Sequence, residues 1–208
     1  MGVRLVWATP NGEALVAEMA RVSNPTNKNN TATAPKLIKY LIDNKHWSPF
    51  EMVNVCMEIV TTRDIARQIL RHRSFSFQEF SQRYAVATSF ISAEARMQDE
   101  KNRQNSIETY DIALQGWWTD VQERMIKEAS LLYQLALDRG LAKETARKVL
   151  PEGLTESTMY MNGTLRSWLH YIDIRCDKAT QKEHRLIAEQ CREIIKQQFP
   201  SIKDLYGQ

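Results

Sequence analysis

Apolar positions along the chain recur every second residue in some stretches and every three to four in others, and each change of period marks an element. VRLVWAT (3–9) reads as a strand. GEALVAEMARV (12–22) reads as a short amphipathic helix, and the polar NPTNKNNTATAP (24–35) as a loop. Leu37, Tyr40 and Leu41 give residues 36–45 helical spacing, which stops at HWSPF because Pro49 biases Ser48 away from the helical region. FEMVNVCMEIV (50–60) predicts a long strand, and Thr62 with Asp64 opens a helix over 64–73. Further on, the pattern predicts helices over 106–139, stopped by Gly140, and over 143–151. TESTMYM (155–161) predicts a strand, and helices follow over 162–175 and 181–199. Helix dominates, with about four strands between the helices. The expected class is therefore α+β, helix-rich with a small central antiparallel or mixed sheet, and not repeated βαβ units.

Two stretches fit neither period. Residues 85–107 are polar and poorly periodic, which predicts a mobile excursion or a cover over a site. RHRSFSFQEFSQRY (71–84), read as a strand from Phe75, places Glu79, Ser81 and Arg83 on one face and Ser76, Gln78, Phe80, Gln82 and Tyr84 on the other. Neither face is apolar, so the segment offers a carboxylate, a hydroxyl and a guanidinium directly after an Arg-His-Arg cluster.

The 208 residues, 43% hydrophobic, can bury a full core and fit one domain over 1–208, with a helical lobe at 108–150. No apolar run reaches membrane-spanning length and MGVRLVWATP has no signal-peptide pattern, which predicts a cytoplasmic protein. Cys56, Cys176 and Cys191 are scattered, suggesting neither a disulfide framework nor a metal site. A net charge of +3 suits anionic small molecules only where the arginines gather. With seven glycines and no GxGxxG or P-loop pattern, backbone cradles for phosphate are not expected. Arg71, Arg73, Arg83, Arg147 and Arg175 become the candidate phosphate ligands, since guanidinium grips phosphate bidentately. In the helix over 162–175, Leu165, Leu169, Ile172 and Cys176 form the core stripe, Arg166 and His170 flank it, and Thr164, Trp168, Tyr171 and Arg175 mark another face carrying donors. Taken singly, these residues have plainer uses. Arg71 to Arg73 suits a helix C-terminus, where basic side chains contribute about 0.3–1 kcal/mol, and Glu79 to Arg83 suits an exposed ion-paired strand.

Taken together, Arg71, His72, Arg73, Ser76, Glu79, Ser81, Arg83 and Tyr84 closely resemble the signature of flavin-dependent thymidylate synthases. The resemblance continues in order through ARVSNP (20–25), HWSPFE (46–51), ARQILRHR (66–73), ARKVLP (146–151) and NGTLRSWLHYIDIRCDKATQKE (162–183), covering residues 15–200. It implies reductive methylation of dUMP to dTMP, with methylenetetrahydrofolate as carbon donor and FAD, reduced by NADPH, as hydride source. It also implies a homotetramer with active sites shared between subunits. Carried over residue by residue, Gln68, Arg71, Glu79, Ser81, Arg83, Arg147 and Arg175 fall where the family holds dUMP, with Arg175 the catalytic candidate. Ser48, Arg71, His72, Arg73, Glu79, Thr164, Arg166 and His170 fall where it contacts FAD. Gln78 stands where the signature more often has Asn, Met52 where His is frequent, and Ala179 where His is common; His170 is Asn in some members.

The competing class is a single-stranded nucleic-acid-binding module, with basic residues tracking phosphates while Phe75, Phe77, Phe80 and Tyr84 stack on bases. Glu79 in its middle and the low net charge argue against it. A flavin- or nucleotide-using enzyme of the same fold with another substrate is the third reading.

Overall fold

The computed structural model describes residues 1–27, 30–87 and 89–206. Strand β1 (Gly2–Ala8) and helix α1 (Gly12–Ala20) lead to a 3-10 turn at Pro25–Asn27. Of the loop expected over 24–35, residues 28 and 29 lie outside the described residues. Helix α2 (Ala34–Asp43) starts two residues earlier than the pattern predicts, because Pro35 sits in its first turn, where no N–H is needed. The strand expected from Phe50 begins later: Ser48–Met52 is a 3-10 turn opened by Pro49, and β2 runs Asn54–Thr62.

Helix α3 (Arg63–Ile69) ends before the Arg-His-Arg cluster, which lies in the turn between α3 and β3 (Phe75–Glu79). Strands β4 (Arg96–Gln98) and β5 (Ser106–Glu108) follow, then helix α4 (Ile112–Asp138) and helix α5 (Lys143–Ala146), extended by a 3-10 turn at Arg147–Val149. Strand β6 (Glu156–Thr164) passes directly into α6 (Leu165–Arg175). Asn162 and Gly163 are thus strand and not helix, and Thr164 is the cap, its Oγ1 accepting from Ser167 N–H at 3.2 Å. Helix α7 (Lys182–Gln198) and a final 3-10 segment complete the chain.

Four strands form one sheet in the order β1-β2-β6-β3, every pairing antiparallel. The nine-residue strands β2 and β6 lie at its centre, in register from Asn54 opposite Thr164 to Thr62 opposite Glu156. Alternation buries Val55, Met57, Ile59, Met159 and Met161 on one face, where they join Val16 of α1, Ile65 of α3, Leu165 and Ile172 of α6 and Ile187 of α7 in one core. The opposite face carries Arg4 bonded to Glu58 at 2.6 Å. Helices on one face of an antiparallel sheet make this an α+β fold. Among the described residues no helix is long and apolar enough to cross a membrane.

The odd positions of β3 correct the sequence reading. Phe75 is buried and Phe77 half-buried, so that face belongs to the core. A side chain at Gly163, opposite Phe75, would meet the phenyl ring at 2.4 Å, so the ring lies where a Cβ would be. The strand stops at Glu79, and Ser81 and Arg83 leave it for a turn closed by Tyr84 N–H on Ser81 O at 3.1 Å. Trp168 and Tyr171, expected beside the stripe of α6, are fully buried in the core, and Trp168 Nε1 donates to Val55 O at 3.0 Å.

Residues 85–107 hold more order than their composition suggests, although Thr88 lies outside the described residues. Strands β4 and β5 pair as a hairpin, and Phe90 bridges Thr155. Gln115 and Gln122 of α4, two helical turns apart on one face, each accept from and donate to a backbone amide, at Ala95 and Ala93 respectively, with all four bonds at 2.8–2.9 Å. The helix expected from Ser106 starts only at Ile112, with Asp111 Oδ1 accepting from Leu114 N–H at 3.0 Å. Its far end follows expectation: Gly140, at φ +82°, stops it in the left-handed region.

Candidate active site

The end of α3, the turn after it, α6 and the first turn of α7 bring together several residues expected to act on a nucleotide. Arg175 closes α6 and donates from Nε to His72 Nε2 at 2.9 Å. The acceptor nitrogen requires a neutral ring. Burial, and after it the charges of Arg175 and His170, pushes His72 down to about 4. The His72 ring packs edge-on against Tyr171, with centroids 4.9 Å apart. Gln68, expected at dUMP, stands in the last turn of α3 on the side that faces α7. Its Nε2 donates to Gln181 Oε1 at 2.7 Å, and its Oε1 lies 3.3 Å from His184 Nδ1. Arg71 and Arg73 stand exposed in the same turn.

A second group surrounds a cavity of about 620 Å³ lined by Trp47, Glu51, Ser74, Thr164, Arg166, Ser167, His170 and Asp173. Thr164, Arg166 and His170, expected at flavin, meet here, with Ser48 next to Trp47 in the chain. Glu51 joins them: Thr164 donates to its Oε2 at 2.8 Å and Arg166 to its Oε1 at 2.5 Å. The Arg166 bond, helped by Thr164, holds the Glu51 carboxyl below the usual range. Ser167 Oγ donates to Ser74 O at 3.3 Å, tying α6 to the turn that carries His72 and Arg73.

Ser81, Arg83 and Arg147 form a third group. Arg83 Nε donates to Glu144 Oε2 at 3.0 Å and Lys143 Nζ to Tyr84 O at 3.0 Å, so the turn after β3 rests on α5, and Arg147 stands one helical turn beyond Lys143. Ser81 Oγ accepts from Arg83 N–H at 3.4 Å. Between them Gln82 is buried, and its Nε2 has no partner among the described residues. Glu79 belongs to none of these groups. Ser157 donates to it at 2.8 Å, and Arg63 lies 3.7 Å away.

Sequence reasoning passed over Glu51, Gln181 and His184, and it set Tyr171 on a donor-bearing flank of α6, whereas the ring is buried. His184 left a readable signal, because it occupies a core position of α7 in line with Ile187, Ala188, Cys191 and Ile195, and a fully buried imidazole there requires partners. Glu51 left none beyond its place in the HWSPFE block.

Comparison with known proteins adds four findings. A family model described as "Thymidylate synthase complementing protein" matches residues 4–201. A flavin-dependent thymidylate synthase of Synechocystis sp. is 50% identical over 190 residues, 91% of this chain and 87% of that protein. A probable flavin-dependent thymidylate synthase of Paramecium bursaria Chlorella virus 1 is 51% identical over 199 residues, 95% and 92% of the two chains. Among solved structures, a UMP/dUMP methylase from Streptomyces cacaoi bound with 5-Br dUMP superposes with a TM-score of 0.86 at 26% identity, covering 99% of this chain and 94% of that one.

Proposed function

The chain belongs to the flavin-dependent thymidylate synthase family, and from that premise we propose that it converts dUMP to dTMP in the cytoplasm, taking the carbon from methylenetetrahydrofolate and the hydride from FAD reduced by NADPH. The observation that carries this reading is the Arg175 guanidinium, fixed at 2.9 Å by a histidine that cannot share its charge. The pyrimidine must become nucleophilic at carbon 5. A thiolate adding to the ring is not at hand: Cys56 and Cys191 are buried, and burial pushes the half-buried Cys176 thiol up as well. Electron density must then come from the ring itself, its N1 lone pair pushing density through C5 toward O4, and Arg175 stabilises the partial negative charge on the N3–O4 edge electrostatically, since arginine stays protonated. Ser81 orients ligand, its hydroxyl being engaged with the Arg83 amide. Arg83 and Arg147 hold phosphate.

The cavity of about 620 Å³ falls within the range of about 300–1,000 Å³ usual for ligand sites, and it offers the Trp47 ring with donors from Arg166 and His170. FAD, when bound and reduced by NADPH, would supply the hydride. Thr164, Arg166, His170 and Ser48 would hold it from this cavity, with His72, Arg71 and Arg73 approaching from the adjoining turn; Glu79, at the far end of β3, would reach only the flavin of a neighbouring copy. The separation of the three groups within one chain, and the exposure of Trp117, Met125 and Leu131 along α4, support a single-domain subunit that assembles as a homotetramer and shares its sites between copies. An active monomer in sedimentation would refute that assembly.

Phe75 lies in the core and Phe77 is half-buried, so of the four aromatics in the 71–84 segment only Phe80 and Tyr84 are exposed to stack on bases. The deciding experiment is purification with flavin spectroscopy, followed by a dTMP assay in which folate, NADPH and FAD are omitted in turn. A yellow protein that needs all three supports the reading. A colourless protein that takes up no FAD and binds oligonucleotides with a steep salt slope overturns it.

A further inference from the structure

A continuous chain of hydrogen bonds runs behind the nucleotide group, and its direction can be worked out from one end. Glu183 is buried, and Arg96 of β4 clamps its two oxygens at 2.7 and 2.9 Å. Those oxygens accept, so the 3.1 Å contact to Gln181 runs from Gln181 Nε2 to Glu183 Oε2. Gln181 therefore turns Oε1 toward Gln68, whose Nε2 donates across 2.7 Å. Gln68 Oε1 in turn faces His184 Nδ1 at 3.3 Å, and that nitrogen must carry the ring proton. His184 Nε2 is left to accept from the Tyr171 hydroxyl at 3.2 Å. Reversing either amide would set acceptor against acceptor and donor against donor.

Each end of the array is anchored. Burial, followed by the nearby Arg175 charge and the coupling to the His72 ring, pushes His184 down to about 3, so the ring holds one proton and cannot donate from both nitrogens. Tyr171 is fully buried beside it, its ring 5.8 Å from the imidazole. An isoleucine or leucine in the α7 stripe would satisfy the core as well as a histidine does, and would need no partner. What the histidine adds is orientation. A glutamine amide can present its oxygen or its nitrogen to a ligand, and this array leaves it no choice.

We propose that His184 is a positioning residue for dUMP, acting through Gln68, whose amide it locks with the oxygen spent and one Nε2–H free to donate to an acceptor oxygen of the nucleotide. The proposal rests on the reading that Gln68 contacts dUMP. A free amide would spend part of its time offering the wrong atom, and the array removes that loss before the nucleotide arrives.

The test is dUMP titration by calorimetry into the flavin-loaded enzyme, comparing Gln68→Leu, His184→Leu, the double variant and His184→Asn, whose amide nitrogen stands where Nδ1 stood. His184→Leu is expected to weaken dUMP binding up to roughly tenfold, the scale of one hydrogen bond, and His184→Asn to stay within about twofold of the parent. The double variant should bind no more weakly than Gln68→Leu alone, because both changes remove one arrangement. Additive losses, or equal losses in the Leu and Asn variants, overturn the proposal. Tyr171→Phe guards against a folding failure at position 184. It keeps the ring but removes the donor to Nε2, and its smaller loss should vanish in the Gln68→Leu background; persistence there counts against the array. If Gln68→Leu binds dUMP like the parent, the placement of dUMP fails and the inference falls with it. If Gln68→Leu weakens binding but position 184 shows no coupling to it, the inference falls alone.

Discussion

Two sets of residues carry the proposed grip on dUMP, and they are held differently. Gln68 and Arg175 stand on a packed surface whose side chains are fixed by others: His72 takes Arg175, His184 and Gln181 take Gln68, and buried Tyr171 backs them all. Ser81, Arg83 and Arg147 stand on an exposed turn and a short helix, joined by Arg83 to Glu144, a pair whose side chains are 61% and 54% exposed. The first set is preorganised, which suits donors that must meet charge as it develops on a ring. The second keeps rotamer freedom and gives up entropy on binding, which suits a phosphate that undergoes no reaction.

The sharpest way to break this contrast is to remove one arginine from each side. Arg175→Ala is expected to lower turnover by about 10² to 10³ even at saturating dUMP, with flavin still bound and still reduced by NADPH. Arg147→Ala should leave turnover near the parent value and raise the dUMP Michaelis constant roughly 10- to 100-fold, the scale of lost hydrogen bonds to a charged group. Steady-state kinetics on both variants decides. Rescue of Arg175→Ala by more substrate would erase the distinction.

The two sides were also unequally legible in the sequence. Apolar periodicity located β2, α6 and α7, because burial on one face imposes a period whatever the partner is. The 71–84 signature named most candidate residues yet misjudged their backbone, since alternation cannot show that a strand ends at Glu79 or that Phe75 and Phe77 turn inward. The Gln115 and Gln122 clamps on residues 93–95 were invisible, because a glutamine serving a distant backbone looks like any surface glutamine. The array behind Gln68 depends on which helices meet, and local sequence does not record that.

A second test presses on the packing behind the fixed side. Gly163 gives its Cβ space to the Phe75 ring, which also packs edge-on against Trp168 at 4.8 Å and Tyr171 at 6.0 Å. Gly163→Ala should drive the ring into that cluster and destabilise the fold by about 1–3 kcal/mol, read as a lower urea midpoint at unchanged slope. The same residue added at Gly153, where a Cβ meets nothing within 4 Å, should have little effect on the midpoint.

Acid should reach the fixed side first, because its two histidines are held neutral. Folding lowers His72 from 6.5 to about 4 and His184 from 6.5 to about 3. Between those values and 6.5 the unfolded chain binds protons that the folded chain refuses, so stability falls as pH drops from about 6.5 and this source is exhausted below about 3. Urea midpoints at pH 7 and pH 5 should differ less in His184→Asn than in the parent. An equal difference would mean that the buried ring is not what the acid titrates.

The smallest effect concerns the exposed side, and it has an unusual sign. Glu144 now occupies the Arg83 guanidinium at 3.0 Å, so a phosphate arriving there must first displace a carboxylate. An exposed pair of this kind contributes about 0.2–1 kcal/mol, which sets the size of the competition. Glu144→Gln keeps the shape of the side chain and removes its charge. It should therefore tighten dUMP binding, by less than about fivefold, with turnover unaffected. Raising the salt concentration should shrink the gain, since screening weakens the Arg83–Glu144 attraction in the parent. In an Arg83→Ala background the gain should disappear, because the carboxylate then competes with nothing. Weaker binding in Glu144→Gln would mean that the pair serves to aim Arg83 at the nucleotide, and the exposed side would then be as preorganised as the buried one.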